Sequence, residues 1–412
     1  MNQTDRRLNT QYAFLQCSYW IDYLIIASFA AVILSGRGFS ASQIGYVTTV
    51  GAVLTIILQT TLSDLADRSE RVTVRQIIIA LLLGGAAVGL IMWLIPKSFA
   101  VAFICMFTAL SLANSLSPLL VSICLQYNAA GHDINFGIAR SIGSLGYALA
   151  GLVMGRISAA FGADTLLPIF SGVQILMMAL VIFMKKPQEE GTTESTTLAR
   201  GRTVAGEDAP SSLPQFFRKY KRYDVFLISV MLVYFMQMLI STYMIFFVEH
   251  YGGGQAEMGT VLSVMACAEI PAIALGMPIM KKFSAETMLR VSSIGGFLKF
   301  AAMLFIPNTT WLIAMQVIQF FYSGLYMVAS VYYVNSIVGR GDSVKAQSIL
   351  AVGVTGVCGI AANIGGGWML EHMPMQSILI LGAAVSFAGM LLMFVATEKK
   401  FFQNNQIKGE DS

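Results

Sequence analysis

The chain has 412 residues, of which 56% are hydrophobic and 12% charged, with a formal net charge of +4. Soluble domains carry roughly 25% charged residues, so this composition excludes a chain whose main solvent is water. Apolar runs of span length recur from end to end, and helices are the economical way to bury them, because lipid offers no partner to an unpaired backbone amide. The ten-residue alternating segments of a membrane barrel are absent from the sequence.

The first ten residues, MNQTDRRLNT, are polar and lead into a full-length apolar run without a small-residue cleavage site, so the first span is expected to be retained rather than removed as a signal peptide. Apolar runs set against Gly, Pro and polar punctuation predict spans at 12–34, 43–62, 75–95, 98–126, 138–161, 165–184, 223–248, 256–280, 289–306, 310–336, 346–369 and 375–396. The expectation is an all-α membrane protein of twelve transmembrane helices in two six-helix bundles. These are an N-terminal bundle over 1–184 and a C-terminal bundle over 223–398, joined by a cytoplasmic linker at 185–222 and followed by a cytoplasmic tail at 399–412.

Of the 26 Lys and Arg, only Arg37 and Lys97 fall in loops on the side opposite the amino terminus, and Arg140, Arg156 and Lys299 lie within spans. The rest share the side of the amino terminus, which places both termini in the cytoplasm of a cell-membrane protein. The linker is rich in Thr, Gly and charge and cannot bury enough apolar surface to fold. Its end, SSLPQFFRKYKRYD, reads either as a short helix lying on the membrane surface after a Ser pair or as a basic tether.

The two halves resemble each other. Gln43-Ile-Gly-Tyr-Val-Thr-Thr-Val50 aligns with Glu257-Met-Gly-Thr-Val-Leu-Ser-Val264, and the stretch from Ala139 to Gly146 aligns with that from Ala346 to Gly353. Both pairs fall at corresponding span starts, as expected of a parallel repeat that places a binding site between two domains.

Between spans two and three stands Ser63-Asp-Leu-Ala-Asp67-Arg68-Ser-Glu-Arg71. It resembles the loop motif of the major facilitator superfamily, with Ser63 and Glu70 where that motif has Gly. The resemblance implies the major facilitator fold and makes Asp67, Arg68 and Arg71 a conformational gate, whose charge pairs latch the halves in one state and release them in another. Without the resemblance, the same residues read as a solvated charged loop.

An ionised side chain at the bilayer centre costs about 2.5–3.5 kcal/mol on insertion scales, so each such residue needs a partner or a purpose. Asp22, Glu269 and Lys299 fall at nearly one depth, by counting helical rise from the span ends. Glu269 and Lys299 lie on consecutive antiparallel spans, where a direct ion pair is geometrically easy and serves either structure or transport. Asp22 has no charged neighbour in sequence. Low dielectric disfavours ionised carboxyls, so Asp22 and Glu269 are the candidate proton-coupling residues.

The stretch Phe136-Gly-Ile-Ala-Arg140-Ser-Ile-Gly-Ser-Leu-Gly-Tyr147 is similar to span five of the lactose permease and oligosaccharide:proton symporter group. That likeness implies that Arg140 grips sugar hydroxyls and Tyr147 stacks on the ring, two helical turns away on the same face. Glu269 in Ala268-Glu269-Ile270-Pro271 and Lys299 in Phe297-Leu-Lys299-Phe300 resemble the glutamate and arginine of the same group and of phenylpropionate-type permeases. Where the lactose permease has a His and a Glu in span ten, this chain has Gln319 and Tyr322, which favours Asp22 or Glu269 as proton carrier. Span ten also supplies Gln316, Tyr326 and Asn335; Gln319, Tyr322 and Tyr326 follow helical spacing and are candidate substrate contacts with Arg140, Tyr147 and Lys299, although such residues also bond neighbouring helices.

The chain contains no Walker-type phosphate loop, no nucleophile–base constellation and no His/Cys cluster with ligand spacing. The expectation is therefore a transporter and not an enzyme, with no metal and no cofactor, driven by the proton gradient. Its partners would be a small-molecule substrate, protons and the lipid bilayer; it would bind no nucleic acid and act as a monomer. Import of a sugar or oligosaccharide is favoured, with drug or metabolite efflux, aryl-carboxylate import and nucleoside import as alternatives.

Overall fold

The computed structural model describes residues 3–68, 73–95, 98–184 and 211–398. Among these the chain is helical, with no strand. The helices are α1 (Gln3–Tyr23), α2 (Ala30–Ser35), α3 (Ala41–Arg68), α4 (Val74–Leu94), α5 (Phe99–Ala129), α6 (Phe136–Phe161), α7 (Leu166–Phe183), α8 (Leu213–Lys219), α9 (Lys221–His250), α10 (Gln255–Met280), α11 (Ala285–Ala302), α12 (Thr309–Met315), α13 (Leu325–Ile337), α14 (Ser343–Ala351), α15 (Gly359–His372) and α16 (Met375–Thr397). Taken through their internal breaks, they form twelve long helical segments at the predicted spans. Among the described residues, nine segments are long and apolar enough to cross a membrane, and a tenth if the bent α10 is counted as one. The other two are the first segment, broken after Tyr23, and α11, which carries Glu286, Arg290 and Lys299. Large exposed side chains such as Ile57, Leu94, Leu149, Leu176 and Phe183 make the helix surfaces apolar where a soluble protein would be polar.

Among the described residues, three of the long segments are interrupted by π-helical turns, at Leu24–Ser28, Phe320–Gly324 and Val352–Cys358. A π turn adds one residue per turn and rotates everything after it relative to everything before. Asp22 stands just before the first of these turns, and Gln319 immediately precedes the second.

The first helix starts at Gln3, well before the apolar run. The cause is tertiary. Asp5 accepts a contact from His132 Nδ1 at 2.9 Å, and Asn9 Oδ1 accepts from the Asn135 amide at 2.9 Å, so the α5–α6 loop supplies partners for this polar turn.

The chain divides into two compact units. The first comprises residues 1–205 and 254–266, and the second 206–253 and 267–412. In the first, α1 packs on α6 and α7, α4 on α5 and α7, and α3 on α5. Its core gathers Tyr12, Leu15, Leu82, Leu116, Leu120 and Met177. The opening turns of α10 belong to this unit because Gly259 meets α6 backbone to backbone: a Cβ at Gly259 would lie 2.1 Å from the Gly151 carbonyl oxygen and 2.9 Å from Gly155 Cα. In the second unit α9 packs on α16 and α15, and α11 on α16 and α13.

The end of the linker forms α8, begun by Ser212, whose amide donates to Gln215 Oε1 at 3.0 Å. It does not simply lie on a surface. Phe216 is fully buried against Tyr220 and Tyr223, and Asp342, between α13 and α14, accepts from the Ser211 amide at 2.8 Å, the Ser211 hydroxyl at 2.7 Å and the Tyr220 hydroxyl at 3.1 Å. Burial pushes the Asp342 carboxyl up, but the Ser211 and Tyr220 hydrogen bonds and the Lys345 ammonium outweigh it and hold the group below the usual carboxylate range.

Candidate functional site

In the second unit, α9, α10, α11 and the α12–α13 span converge on Lys299. Its side chain is 1% exposed, and Nζ donates to Gln319 Oε1 at 2.6 Å and to Gln237 Oε1 at 3.2 Å. Gln319 Nε2 then donates to Glu269 Oε1 at 2.8 Å. The amide orientation is dictated by its neighbours: reversing it would set an NH2 against an ammonium and an oxygen against a carboxylate. The direct Glu269–Lys299 ion pair expected from the sequence does not form. The reason is reach, since Gln319 intervenes on the turn just before Phe320–Gly324 and uses both ends of its amide to join them. Lys299 is thus buried among neutral carbonyl oxygens, while Glu269 is partly exposed.

Aromatic rings close this site. Tyr234 lies 5.0 Å from the Tyr322 ring and 4.7 Å from Tyr326, and Phe300 packs edge-on to Tyr322. Tyr322 is fully buried and its hydroxyl donates to the Val233 carbonyl at 3.3 Å, whereas Tyr326 is half-buried. Gln316 bonds its own helix at Leu312, and Asn335 is exposed next to Ser343. Sequence reading missed Gln237 and Tyr234. They stand three residues apart on α9, in a run so apolar that a single polar side chain gave no periodic signal.

In the first unit, the Arg140 guanidinium lies 3.9 Å over the Trp20 ring and donates to Ser144 at 2.5 Å. Tyr147 meets the same indole edge-on at 6.3 Å, and its hydroxyl hydrogen-bonds Ser28, in the Leu24–Ser28 turn, at 2.8 Å. Arg140 and Tyr147 are therefore brought together through Trp20, which the sequence reading passed over. A cleft beside them is lined by Gln16, Tyr19, Trp20, Ser117, Phe136 and Arg140. Trp20 fits because Gly143 faces it: a Cβ there would lie 2.4 Å from the indole Cδ1. Two residues beyond Trp20 on α1, Asp22 is fully buried and accepts from Gln174 Nε2 of α7 at 3.0 Å.

Of the expected gate, Asp67 and Arg68 close α3 but their side chains lie outside the described residues, as does Arg71 altogether.

The MFS_1 like family matches residues 15–381. The chain belongs to that family. It is a multi-pass membrane transporter of the MFS type. The uncharacterized transporter YwbF of Bacillus subtilis (strain 168) is 22% identical over 389 residues, covering 93% of this chain and 92% of that one. Among solved structures, a mutant form of the nucleoside transporter NupG superposes with a TM-score of 0.78 at 16% identity, covering 96% of this chain and all of that one. A peptide transporter, POT, in complex with alafosfalin gives 0.69 at 13% identity, covering 94% and 92%. At these identities the likeness is one of fold, shared by transporters of different solutes.

Proposed function

We propose that this MFS transporter is a proton-coupled symporter of the cell membrane, with both termini in the cytoplasm, importing a small ring-shaped hydroxylated solute, a sugar or a nucleoside, by alternating access. The observation that carries this reading is the Lys299–Gln319–Glu269 chain. A carboxylate clamped directly on a lysine would be held in its ionised form. Setting a neutral amide between the two leaves Glu269 partly exposed and bonded to Gln319 Nε2 in place of an ammonium, so it is reachable from outside the cluster without an ion pair being broken. Asp22 is the second proton-coupling residue. The Trp20–Arg140–Tyr147 group offers what a ring with hydroxyls requires, an aromatic face beside a cation. The sugar option rests on the resemblance of Arg140 and Tyr147 to the oligosaccharide:proton symporters, and the nucleoside option is kept because NupG, a nucleoside transporter, shares the fold.

The test is uptake of labelled sugars and nucleosides into vesicles carrying the purified chain. An inward proton gradient should drive accumulation of one class, and Glu269→Gln should abolish it while leaving membrane insertion intact. Equal uptake with and without the gradient, or an undiminished Glu269→Gln variant, would reject the coupling.

A further inference from the structure

Asp22 and Gln174 face each other in a site with no relative exposure for either side chain. One hydrogen bond joins them, Gln174 Nε2 to Asp22 Oδ2 at 3.0 Å. Asp22 Oδ1 and Gln174 Oε1 are both buried without a hydrogen-bond partner among the described residues. An ionised carboxyl is acceptor-only, so in that form both oxygens stay unsatisfied and stand on neighbouring groups as two like poles. A protonated carboxyl has one O–H donor, and the orphan acceptor beside it is Gln174 Oε1. An acid and a primary amide then close a ring of two antiparallel hydrogen bonds, N–H to Oδ2 and O–H to Oε1. A single proton satisfies both orphan oxygens.

Among the described residues no side chain donates a hydrogen bond to Asp22 Oδ1 or Gln174 Oε1. α7 contains no ionisable side chain, and the one charged residue of α4, Arg75, donates to the Met184 and Ile182 carbonyls near the end of α7. On α1 the titratable neighbours are Tyr19 and Tyr23, each in ring contact with Trp20. On α6 they are Arg140, seated on Trp20 and Ser144, and Tyr147, bonded to Ser28. α5 brings Cys105, Cys124 and Tyr127, and no charge. α4 contributes space: a Cβ at Gly85 would lie 3.0 Å from the Gln174 amide, so the glycine seats that amide flat against Asp22.

We propose that Gln174 is the positioning residue of a proton-holding site at Asp22, which carries its proton as a closed acid–amide ring and releases it only when that ring opens. Loss of the proton leaves the two oxygens repelling each other across the α1–α7 contact, so deprotonation and separation of these helices go together. The consequence for transport rests on the symport reading above. The proton site itself does not, and its test needs no substrate.

The test is infrared spectroscopy of the full purified chain in lipid at neutral pH, in water and in deuterium oxide. A protonated carboxyl gives a carbonyl band that shifts on deuteration. The expected result is such a band in the wild type, its loss in Asp22→Asn, and its displacement to higher frequency in Gln174→Leu, where the carbonyl loses its amide partner. Should Gln174→Leu not fold, Gly85→Ala crowds the amide from the other side and carries the same expectation. The proposal is overturned if Asp22→Asn retains the whole wild-type band, or if neither Gln174→Leu nor Gly85→Ala moves it. Either failure removes Asp22 as a proton site and leaves the coupling role of Glu269 to its own uptake test, whereas absence of uptake leaves the band untouched.

Discussion

Lys299 donates to Gln319 Oε1 over 2.6 Å, and this one bond decides which way the glutamine faces. With its oxygen committed to the ammonium, Gln319 has only its NH2 to offer Glu269. A cation and an acid that would otherwise neutralise each other are thereby kept apart by one neutral side chain, and each is left with a separate task.

Gln319 is accordingly sensitive in two different ways. Gln319→Leu strips a buried ammonium of its nearest acceptor and is expected to cost about 3 kcal/mol, read as a lower thermal midpoint in detergent. Gln319→Glu keeps the fold, because it places a carboxylate on Lys299, but it sets that carboxylate beside Glu269 and should reduce gradient-driven uptake about tenfold, an effect of roughly 1.4 kcal/mol. Wild-type uptake by Gln319→Glu would show that the neutral bridge is dispensable.

Trp20 predicts a binding defect without a folding defect. Stacking and cation–π contacts of partly buried indoles are worth about 1–2 kcal/mol, so Trp20→Ala should raise the half-saturation concentration for uptake about tenfold. Gly143→Val, which takes the space of the indole Cδ1, should do the same with Trp20 still present. If half-saturation is unchanged in both, the Trp20–Arg140 pair is packing only.

Gly259 separates steric need from helix propensity. Gly259→Ala would drive a methyl group into the Gly151 carbonyl oxygen, and overpacking of this kind costs about 1–3 kcal/mol. Gly172→Ala on α7 meets nothing within 4 Å and should be neutral or stabilising by up to about 1 kcal/mol. Thermal unfolding of the two variants side by side distinguishes them; equal midpoints would contradict the backbone contact.

Asp342 makes stability depend on pH in a stated direction. Its carboxyl is held below the ordinary aspartate value of about 4, so the folded state favours the ionised form. That contribution is complete above the ordinary value and disappears as pH falls through the lowered one. The gap in thermal midpoint between wild type and Asp342→Asn should be constant around neutral pH and narrow below about pH 4. A gap that stays the same into acid would remove the Ser211–Asp342–Tyr220 latch as its source.

How far the site was legible depended on the kind of signal each residue carries. Asp22, Glu269 and Lys299 announce themselves, because a charge inside an apolar run is costly wherever it points. Gln174 and Gln237 do not, since one neutral amide in a span is common and becomes informative only when a charged group is found beside it. Trp20 was hidden among Tyr19 and Tyr23 in a run where any aromatic reads as core. The predicted helical face of Gln319, Tyr322 and Tyr326 is interrupted by the π-helical turn at Phe320–Gly324, which sends Gln319 to the charges and Tyr322 to a backbone carbonyl.

The positions of the spans and the all-helical class follow from residue order alone, because hydrocarbon obliges each segment to satisfy its own backbone and so makes span formation a local decision. The partner of each buried charge is a different matter. It depends on how four or five helices converge, on where a π turn rotates one of them, and on which glycine leaves room for a neighbour's amide or ring. Those are relations between segments far apart in the chain, and only the packed structure sets Gln319 between Lys299 and Glu269, and Gln174 against Asp22.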